Sequence, residues 1–171
     1  MTEKPLRVGV VGVGYLGFIH ARIYQKMANV DLVAVMDTNA ERGSQIASEC
    51  ECNFVQDLDG LLESVDAVSI VVPTSLHREI AEPFLYKGIP VLLEKPVAHA
   101  MEDARAIVDL AKQSGTLLQI GHLERFNAGV VRLAAELDRP RFMEVHRLGE
   151  FVARATDVDV VTDLMIHDID I

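Results

Sequence analysis

LRVGVVGVGYLG, residues 6–17, decides the fold of this 171-residue chain. Its first half predicts a buried strand, and a helical pattern follows the glycine-rich turn. Gly12 permits the tight turn, Gly14 lets a backbone approach a phosphate, and Gly17 lets helix and strand pack closely. The helix N-terminus offers free N–H groups and partial positive charge to an anion. The stretch therefore predicts a cradle for the pyrophosphate of a dinucleotide.

Asp37 indicates which dinucleotide is bound, because it ends the next predicted strand, about 20 residues after Gly17. A carboxylate there can bind both ribose hydroxyls and would repel a 2′-phosphate, which predicts NAD rather than NADP. Two alternatives stay open. Arg42 is near enough in the sequence for a 2′-phosphate pocket, and Asp37 could instead cap the following helix.

Strand and helix patterns alternate along residues 1–122. Predicted strands are 6–11, 32–36, 67–72, 89–93 and 117–120, and predicted helices are 15–28, 40–49, 75–87 and 101–113. Continuously apolar strands that alternate with helices are typical of a parallel sheet covered on both faces. The prediction is an α/β fold, a doubly wound parallel sheet of the Rossmann type, over residues 1–122.

The pattern changes in residues 123–171, where we expect the beginning of a second, α+β domain. A helix is predicted over 124–137, a strand of a half-solvated sheet over 141–148, and another helix over 158–171. Because the sequence stops inside a patterned apolar segment, we expect this C-terminal domain to be truncated.

Composition narrows the classes of partner. The formal charge of −10 would repel phosphate backbones, so no nucleic-acid partner is expected. No apolar run approaches the roughly 20 residues of a membrane helix, and no signal peptide is evident, which predicts a cytoplasmic protein without membrane contact. Cys50 and Cys52 are interpreted as reduced thiols.

Four further motifs carry a family resemblance when read in order after the glycine turn. They are VVPTSLH at 71–77, EKP at 94–96, GHLERFN at 121–127 and DLMIH at 163–167. Together they resemble the glucose–fructose oxidoreductase/inositol dehydrogenase/MocA family of oxidoreductases. Within it, the last two stretches are most similar to nucleotide-sugar 3-dehydrogenases that act on UDP-N-acetylglucosamine or its uronic acid.

The resemblance implies roles for individual residues. His167 would be the base that takes the hydroxyl proton, Asp163 would orient it from one helical turn earlier, and Lys95 would stabilise the alkoxide. The catalytic set is thus Lys95, Asp163 and His167. The cofactor set is Gly12, Gly14, Tyr15, Leu16, Gly17, Asp37, Pro73, Thr74, His77, Glu94 and Lys95. The substrate set is Lys95, His122, Arg125, Asn127, Asp163 and His167.

Other side chains receive simpler interpretations. His77 could equally contact the cofactor or serve as a polar residue near a helix start, and His20 is interpreted as structural. Asp163, His167 and Asp170 have the spacing of metal ligands, but the implied chemistry needs no metal, so none is predicted.

The implied function is an NAD-dependent oxidoreductase that transfers hydride from C3 of a UDP-N-acetylhexosamine to the nicotinamide. The resemblance also implies that the C-terminal domain, residues 123–171, serves substrate binding and assembly, and it leads us to expect a homo-oligomer when the protein is full-length. One alternative is a polyol dehydrogenase of the inositol type. Another, from a different class, is a non-catalytic NAD-binding regulator.

Overall fold

A computed structural model describes residues 4–146 and 161–171, with only the backbone at Thr162 and Asp163. Its strands are β1 (Leu6–Val11), β2 (Val30–Met36), β3 (Asn53–Val55), β4 (Ala67–Ile70), β5 (Val91–Leu93) and β6 (Leu118–Ile120). Its helices are α1 (Tyr15–Lys26), α2 (Ala40–Glu49), α3 (Leu58–Ser64), α4 (His77–Tyr86), α5 (Met101–Ser114), α6 (Ala128–Glu136) and α7 (Ile166–Asp170). Short 3₁₀ turns cover Thr74–Leu76 and Leu123–Phe126, and a π-helical turn covers Val161–Met165.

The six strands form one parallel sheet in the order β3-β2-β1-β4-β5-β6. Chain order therefore reverses between β1 and β4, where the chain leaves β3 and crosses to the other side of β1. This is the doubly wound arrangement, and the predicted fold class is confirmed. Ligands of such sheets bind beyond the carboxyl ends of the strands at this reversal.

Two apolar clusters stabilise the sheet. One packs α4 and α5 against the strands, with Phe84, Leu85 and Ile107 fully buried. The other packs α1 and α2, with Ala21 and Ile46 fully buried. Helices connected to opposite halves of the sheet thus bury separate clusters, as right-handed crossovers require. These clusters hold in place the strands from which the functional loops leave.

The structure corrects the sequence interpretation at three places. It adds β3 and α3, which were not predicted because β3 is short and only partly buried. The helix predicted over 124–137 is divided, because the Asn127 side chain accepts the Gly129 N–H and starts α6 anew. The strand predicted over 141–148 is wrong for residues 141–146, which have no pairing strand among the described residues; 147 and 148 lie outside them.

The chain divides into two compact units, Met1–Ile120 and Gly121–Ile171. The first contains the whole sheet, and the second contains α6 and α7. Across the parts described, no helix combines the length and apolar character needed to span a membrane.

Candidate functional site at the carboxyl edge of the sheet

The predicted cofactor residues of the first unit gather at one edge of the sheet. Gly12 follows β1, Val71 follows β4, and Glu94 follows β5. These three strands are neighbours and run parallel, so the loops that leave them meet at the β1–β4 reversal. The sheet thus brings together three motifs that are far apart in the sequence.

The glycine turn has the backbone geometry that the sequence predicts. Gly12 has a φ of 82°, which favours glycine, and a Cβ at Gly17 would overlap the Gly12 carbonyl oxygen. α1 begins at Tyr15, and Gly14 at its N-cap provides no side-chain hydrogen bond to the first turn. A Cβ built on Gly14 would meet nothing within 4 Å. Open space above uncapped helical N–H groups fits the pyrophosphate of a dinucleotide.

Asp37 lies directly beside that turn. Its Oδ2 accepts the Val13 N–H at 2.8 Å, and its Oδ1 accepts the Asn39 N–H at 2.9 Å. A carboxylate has about four lone-pair sites, so lone pairs remain for ribose hydroxyls. Arg42 contacts the same residue of the turn, donating from Nε to the Val13 carbonyl at 3.1 Å, and its guanidinium lies 5.4 Å from the Phe18 ring centroid. The residues of this turn fit the adenosine half of NAD.

The loop after β4 contains Pro73, Thr74 and His77. Thr74 is buried in the 3₁₀ turn, and His77 is only 1% exposed. The His77 Nε2 lies 3.1 Å from the Val72 carbonyl, and its Nδ1 lies 3.3 Å from the Val97 carbonyl. Burial lowers the pKa of His77, and a neutral imidazole donates from one nitrogen at a time. In this position, His77 ties the loop after β4 to the loop after β5.

Glu94, Lys95 and Pro96 form the third loop. Glu94 continues the sheet pairing through its N–H to the Ile70 carbonyl at 3.1 Å, and it is 8% exposed. Its Oε2 accepts the Lys95 backbone N–H at 3.3 Å, and the peptide bond from Lys95 to Pro96 is cis. Lys95 is half-buried at this edge. The loop thus places Lys95 at the edge where a doubly wound sheet binds its ligands.

The second unit has its own polar cluster. Arg125 donates from Nε to Asp170 Oδ2 at 2.7 Å and from Nη2 to Oδ1 at 2.6 Å. The His122 Nδ1 lies 3.6 Å from the same carboxylate. The hydrogen bonds from Arg125 lower the pKa of Asp170, and the charges of His122 and His167 act in the same direction. Reciprocally, Asp170 raises the pKa of Arg125. The cluster links the turn at Leu123–Phe126 to α7, which carries His167.

The local structure around Asn127, Asp163 and His167 differs from the one that the sequence predicts. Asn127 caps α6 and donates from Nδ2 to Glu124 at 3.0 Å, so its polar atoms serve the local turn. Asp163 lies in the π-helical turn, and its side chain is outside the described residues. A continuous α-helix through Asp163 and His167 is wrong, because i→i+5 pairing precedes α7. The sequence interpretation also missed that Asp170 is the acceptor for Arg125.

Comparison with known proteins matches this arrangement to a family. Residues 6–122 match the family model described as an oxidoreductase family with an NAD-binding Rossmann fold. The chain belongs to the glucose–fructose oxidoreductase/inositol dehydrogenase/MocA family. Membership confirms the predicted family and the prediction of an NAD-binding domain.

Two relatives of known name match nearly the whole of this chain. It is 42% identical over 167 residues to the UDP-N-acetylglucosamine 3-dehydrogenase of Acidithiobacillus ferrooxidans, covering 97% of this chain and 53% of that protein. It is 32% identical over 181 residues to inositol 2-dehydrogenase 4 of Saccharopolyspora erythraea, covering 99% of this chain and 54% of that protein. The chain therefore spans about half the length of these family members.

Solved structures of related proteins superpose on most of this chain. The Acidithiobacillus ferrooxidans UDP-N-acetylglucosamine 3-dehydrogenase GnnA superposes with a TM-score of 0.89 over 96% of this chain and 52% of that one, at 42% identity. GenD2 from gentamicin A biosynthesis, solved in complex with NAD, superposes with a TM-score of 0.74 over 80% of this chain and 40% of that one, at 30% identity.

Proposed function

We propose that this chain is the NAD-binding part of a dehydrogenase that oxidises C3 of UDP-N-acetylglucosamine or a related sugar nucleotide. The observation that carries the proposal is the meeting of the glycine turn, Asp37 and the Lys95 loop at the β1–β4 reversal. The 42% identity to a UDP-N-acetylglucosamine 3-dehydrogenase supports the choice of substrate.

The first unit would bind NAD with groups that are already fixed by hydrogen bonds. The first-turn N–H groups of α1 would hold the pyrophosphate, and Asp37 would accept hydrogen bonds from the ribose hydroxyls. Bound NAD supplies the acceptor for the hydride that leaves the substrate carbon. Tyr15 and Leu16 are exposed at this helix end and would flank the phosphates.

Lys95 and His167 would handle the substrate hydroxyl. The Lys95 ammonium would donate a hydrogen bond to the hydroxyl oxygen and stabilise its developing negative charge. His167 would accept the hydroxyl proton as the C–H bond gives up its electron pair, leaving a ketone, reduced cofactor and one proton. Asp163 would orient His167. A general base of this kind contributes about 10²–10⁴ in rate.

Arg125 and His122 would contact the polar part of the substrate. Arg125 is exposed, and Asp170 uses two of its five N–H donors. The remaining donors could bind a phosphate or carboxylate of the sugar nucleotide.

Turnover measured beside cofactor binding tests the proposal. We expect NADH to form with UDP-N-acetylglucosamine at least about 10-fold faster than with myo-inositol, because myo-inositol would leave the polar groups that bind the nucleotide without partners. Lys95→Ala and His167→Ala should abolish this turnover while NADH affinity stays within about 2-fold, because neither residue would supply the main cofactor contacts.

Matched controls are Lys87→Ala and His146→Ala, which remove an exposed lysine and an exposed histidine elsewhere. Both should turn over normally. Faster reaction with myo-inositol would replace the proposal with a polyol dehydrogenase, and NADH binding without turnover of any sugar would replace it with an NAD-binding regulator.

We also infer that the protein works in the cytoplasm as a homo-oligomer. Cys50 and Cys52 are both free thiols, and burial raises the pKa of Cys52 to about 11, which keeps that thiol protonated and unreactive. Sedimentation of the protein tests the assembly, and a monomer at micromolar concentration would contradict it.

A further inference from the structure

A chain of three polar side chains lies inside the first unit, behind the Lys95 loop. The His20 Nδ1 lies 2.8 Å from the Ser69 hydroxyl, and its Nε2 lies 3.3 Å from Glu94 Oε1. Ser69 is fully buried, and the side chains of His20 and Glu94 are 13% and 11% exposed. Burying polar groups is costly unless they are paired, so this cluster holds a defined geometry.

The cluster connects three elements of the proposed cofactor edge. His20 lies on α1, whose N-terminus carries the glycine turn, whereas Ser69 lies on β4 and Glu94 follows β5. The other oxygen of Glu94, Oε2, accepts the backbone N–H of Lys95 at 3.3 Å. The Glu94 carboxylate thus connects α1, the helix that follows the glycine turn, to the backbone of Lys95.

The donors and acceptors can be assigned from their chemistry. A carboxylate only accepts hydrogen bonds, so the His20 Nε2 carries the proton toward Glu94, and the Ser69 hydroxyl completes the pairing at Nδ1. Tyr24, one turn further along α1, lies near Ser69, and its ring packs edge-on against the ring of His20. The charge of Glu94 also acts on His77 of α4, where it raises the pKa against the larger lowering by burial. The Glu94 carboxylate thus contacts His20 through one oxygen and the Lys95 N–H through the other.

We propose that His20 is a positioning residue, which fixes the Lys95 loop to the cofactor helix by holding the Glu94 carboxylate. The proposal rests on the proposed function of Lys95. His20 touches neither cofactor nor substrate in this role. Its effect reaches Lys95 only through Glu94, and an error of about 1 Å in the position of a reacting group can cost 10²-fold in rate.

Two substitutions of His20 separate this role from a general structural one. The amide nitrogen of glutamine reaches about as far as Nε2, so His20→Gln keeps a donor for Glu94. The shorter side chain in His20→Asn reaches only the position of Nδ1, so it keeps the Ser69 contact and loses Glu94. We expect His20→Gln to keep kcat within about 3-fold of wild type and His20→Asn to lose about 10-fold, with the KM for NAD unchanged in both.

A binding-state readout that needs no turnover accompanies these rates. In the NADH-bound chain, the ¹H–¹⁵N signal of the Lys95 amide should move slightly in His20→Gln, which gives up the Ser69 contact, and further in His20→Asn, which gives up the Glu94 contact. Ser69→Ala, which removes one buried oxygen, should move the signal in the same direction by a smaller amount. It serves as the second variant if His20→Asn does not fold.

The outcomes are distinct. Equal behaviour of the glutamine and asparagine variants, or an unmoved Lys95 amide in His20→Asn and Ser69→Ala, overturns the positioning role. If wild type oxidises no sugar, the proposed function fails, and the Lys95 amide still decides whether His20 holds the loop. Parallel loss of melting temperature and kcat in both His20 variants would also overturn the proposal, because it indicates a purely structural residue.

Discussion

α5 and α6 are both amphipathic helices, but their surroundings differ. α5 buries Ile107, Leu110 and Ala111 against the sheet, whereas α6 buries no residue. Val131 and Leu133 of α6 remain 53% and 46% exposed. An amphipathic pattern thus predicts that a helix has an apolar face, but it does not predict which residues pack against that face. Most of the stability of a helix in a protein comes from this packing.

The same difference separates the two units. In the first, the loops of the cofactor edge leave buried strands that packing holds on both sides. In the second, the polar cluster depends on a 3₁₀ turn and a five-residue helix joined through Arg125 and Asp170. We therefore expect the first unit to keep its cofactor-binding edge when single surface residues are substituted. The polar cluster of the second unit should be disrupted more easily by substitution.

Hydrogen exchange should show the largest contrast. Amides in the buried centre of α5 should exchange about 1,000-fold more slowly than those of α6, because opening of a helix without buried contacts costs little free energy. Mass spectrometry of peptides from 101–114 and 128–136 measures both rates in one sample. Equal protection of the two helices would show that α6 is covered in solution and would break the comparison.

Gly17→Ala should have the next largest effect. Its Cβ would overlap the Gly12 carbonyl oxygen, and neither backbone segment can move without disturbing the α1–β1 packing. We expect the free energy of unfolding to fall by about 3 kcal/mol and saturable NADH binding to disappear. Urea unfolding followed by circular dichroism and NADH fluorescence measure the two effects.

Gly60→Ala is the matched control in α3, where a Cβ would make only ordinary contacts. It should leave NADH affinity unchanged and stability within about 1 kcal/mol of wild type. A Gly17→Ala protein that binds NADH normally would contradict the assignment of the glycine turn.

The smallest effect concerns the ion pair between Arg125 and Asp170, which connects two elements within the second unit. Arg125 lowers the pKa of Asp170, so the pair stabilises the fold fully above the ordinary pKa of an aspartate, and this stability is lost as the pH falls through the lowered pKa. Arg125→Gln should raise the pKa of Asp170 toward its ordinary value, and Arg132→Gln should not. Carboxyl ¹³C shifts titrated by NMR measure this, and an Asp170 unaffected by Arg125→Gln would contradict the pairing.

The sequence predicted the fold wherever local pattern and burial agree. β1 and α2 begin and end where their patterns do, because continuous apolar runs and a cap at Asn39 define them. β3 was not predicted because a strand of three residues, one exposed and two partly buried, gives no periodic signal. The predicted strand over 141–148 failed over its described residues because strand pairing depends on a neighbour that alternation cannot reveal.

The site could be predicted as a set of motifs but not as a set of contacts. Gly12, Asp37 and Lys95 were identified from spacing and resemblance, and sheet order brings their loops to one edge. The partners of His20 could not be predicted, because Ser69 and Glu94 are 49 and 74 residues away and meet it only in three dimensions. For the same reason, Arg125 gave no sign that Asp170, 45 residues later, would bind it.

Isothermal titration of NADH into the chain tests most directly whether the edge formed by the glycine turn and Asp37 binds the cofactor. We predict one NADH per chain, with affinity about 10-fold weaker in Asp37→Asn because a charge-assisted hydrogen bond becomes a neutral one. Asp57→Asn, which changes a carboxylate that caps α3 through Gly60, should bind NADH as wild type does. No saturable binding, or equal affinity in wild type and Asp37→Asn, would contradict the account.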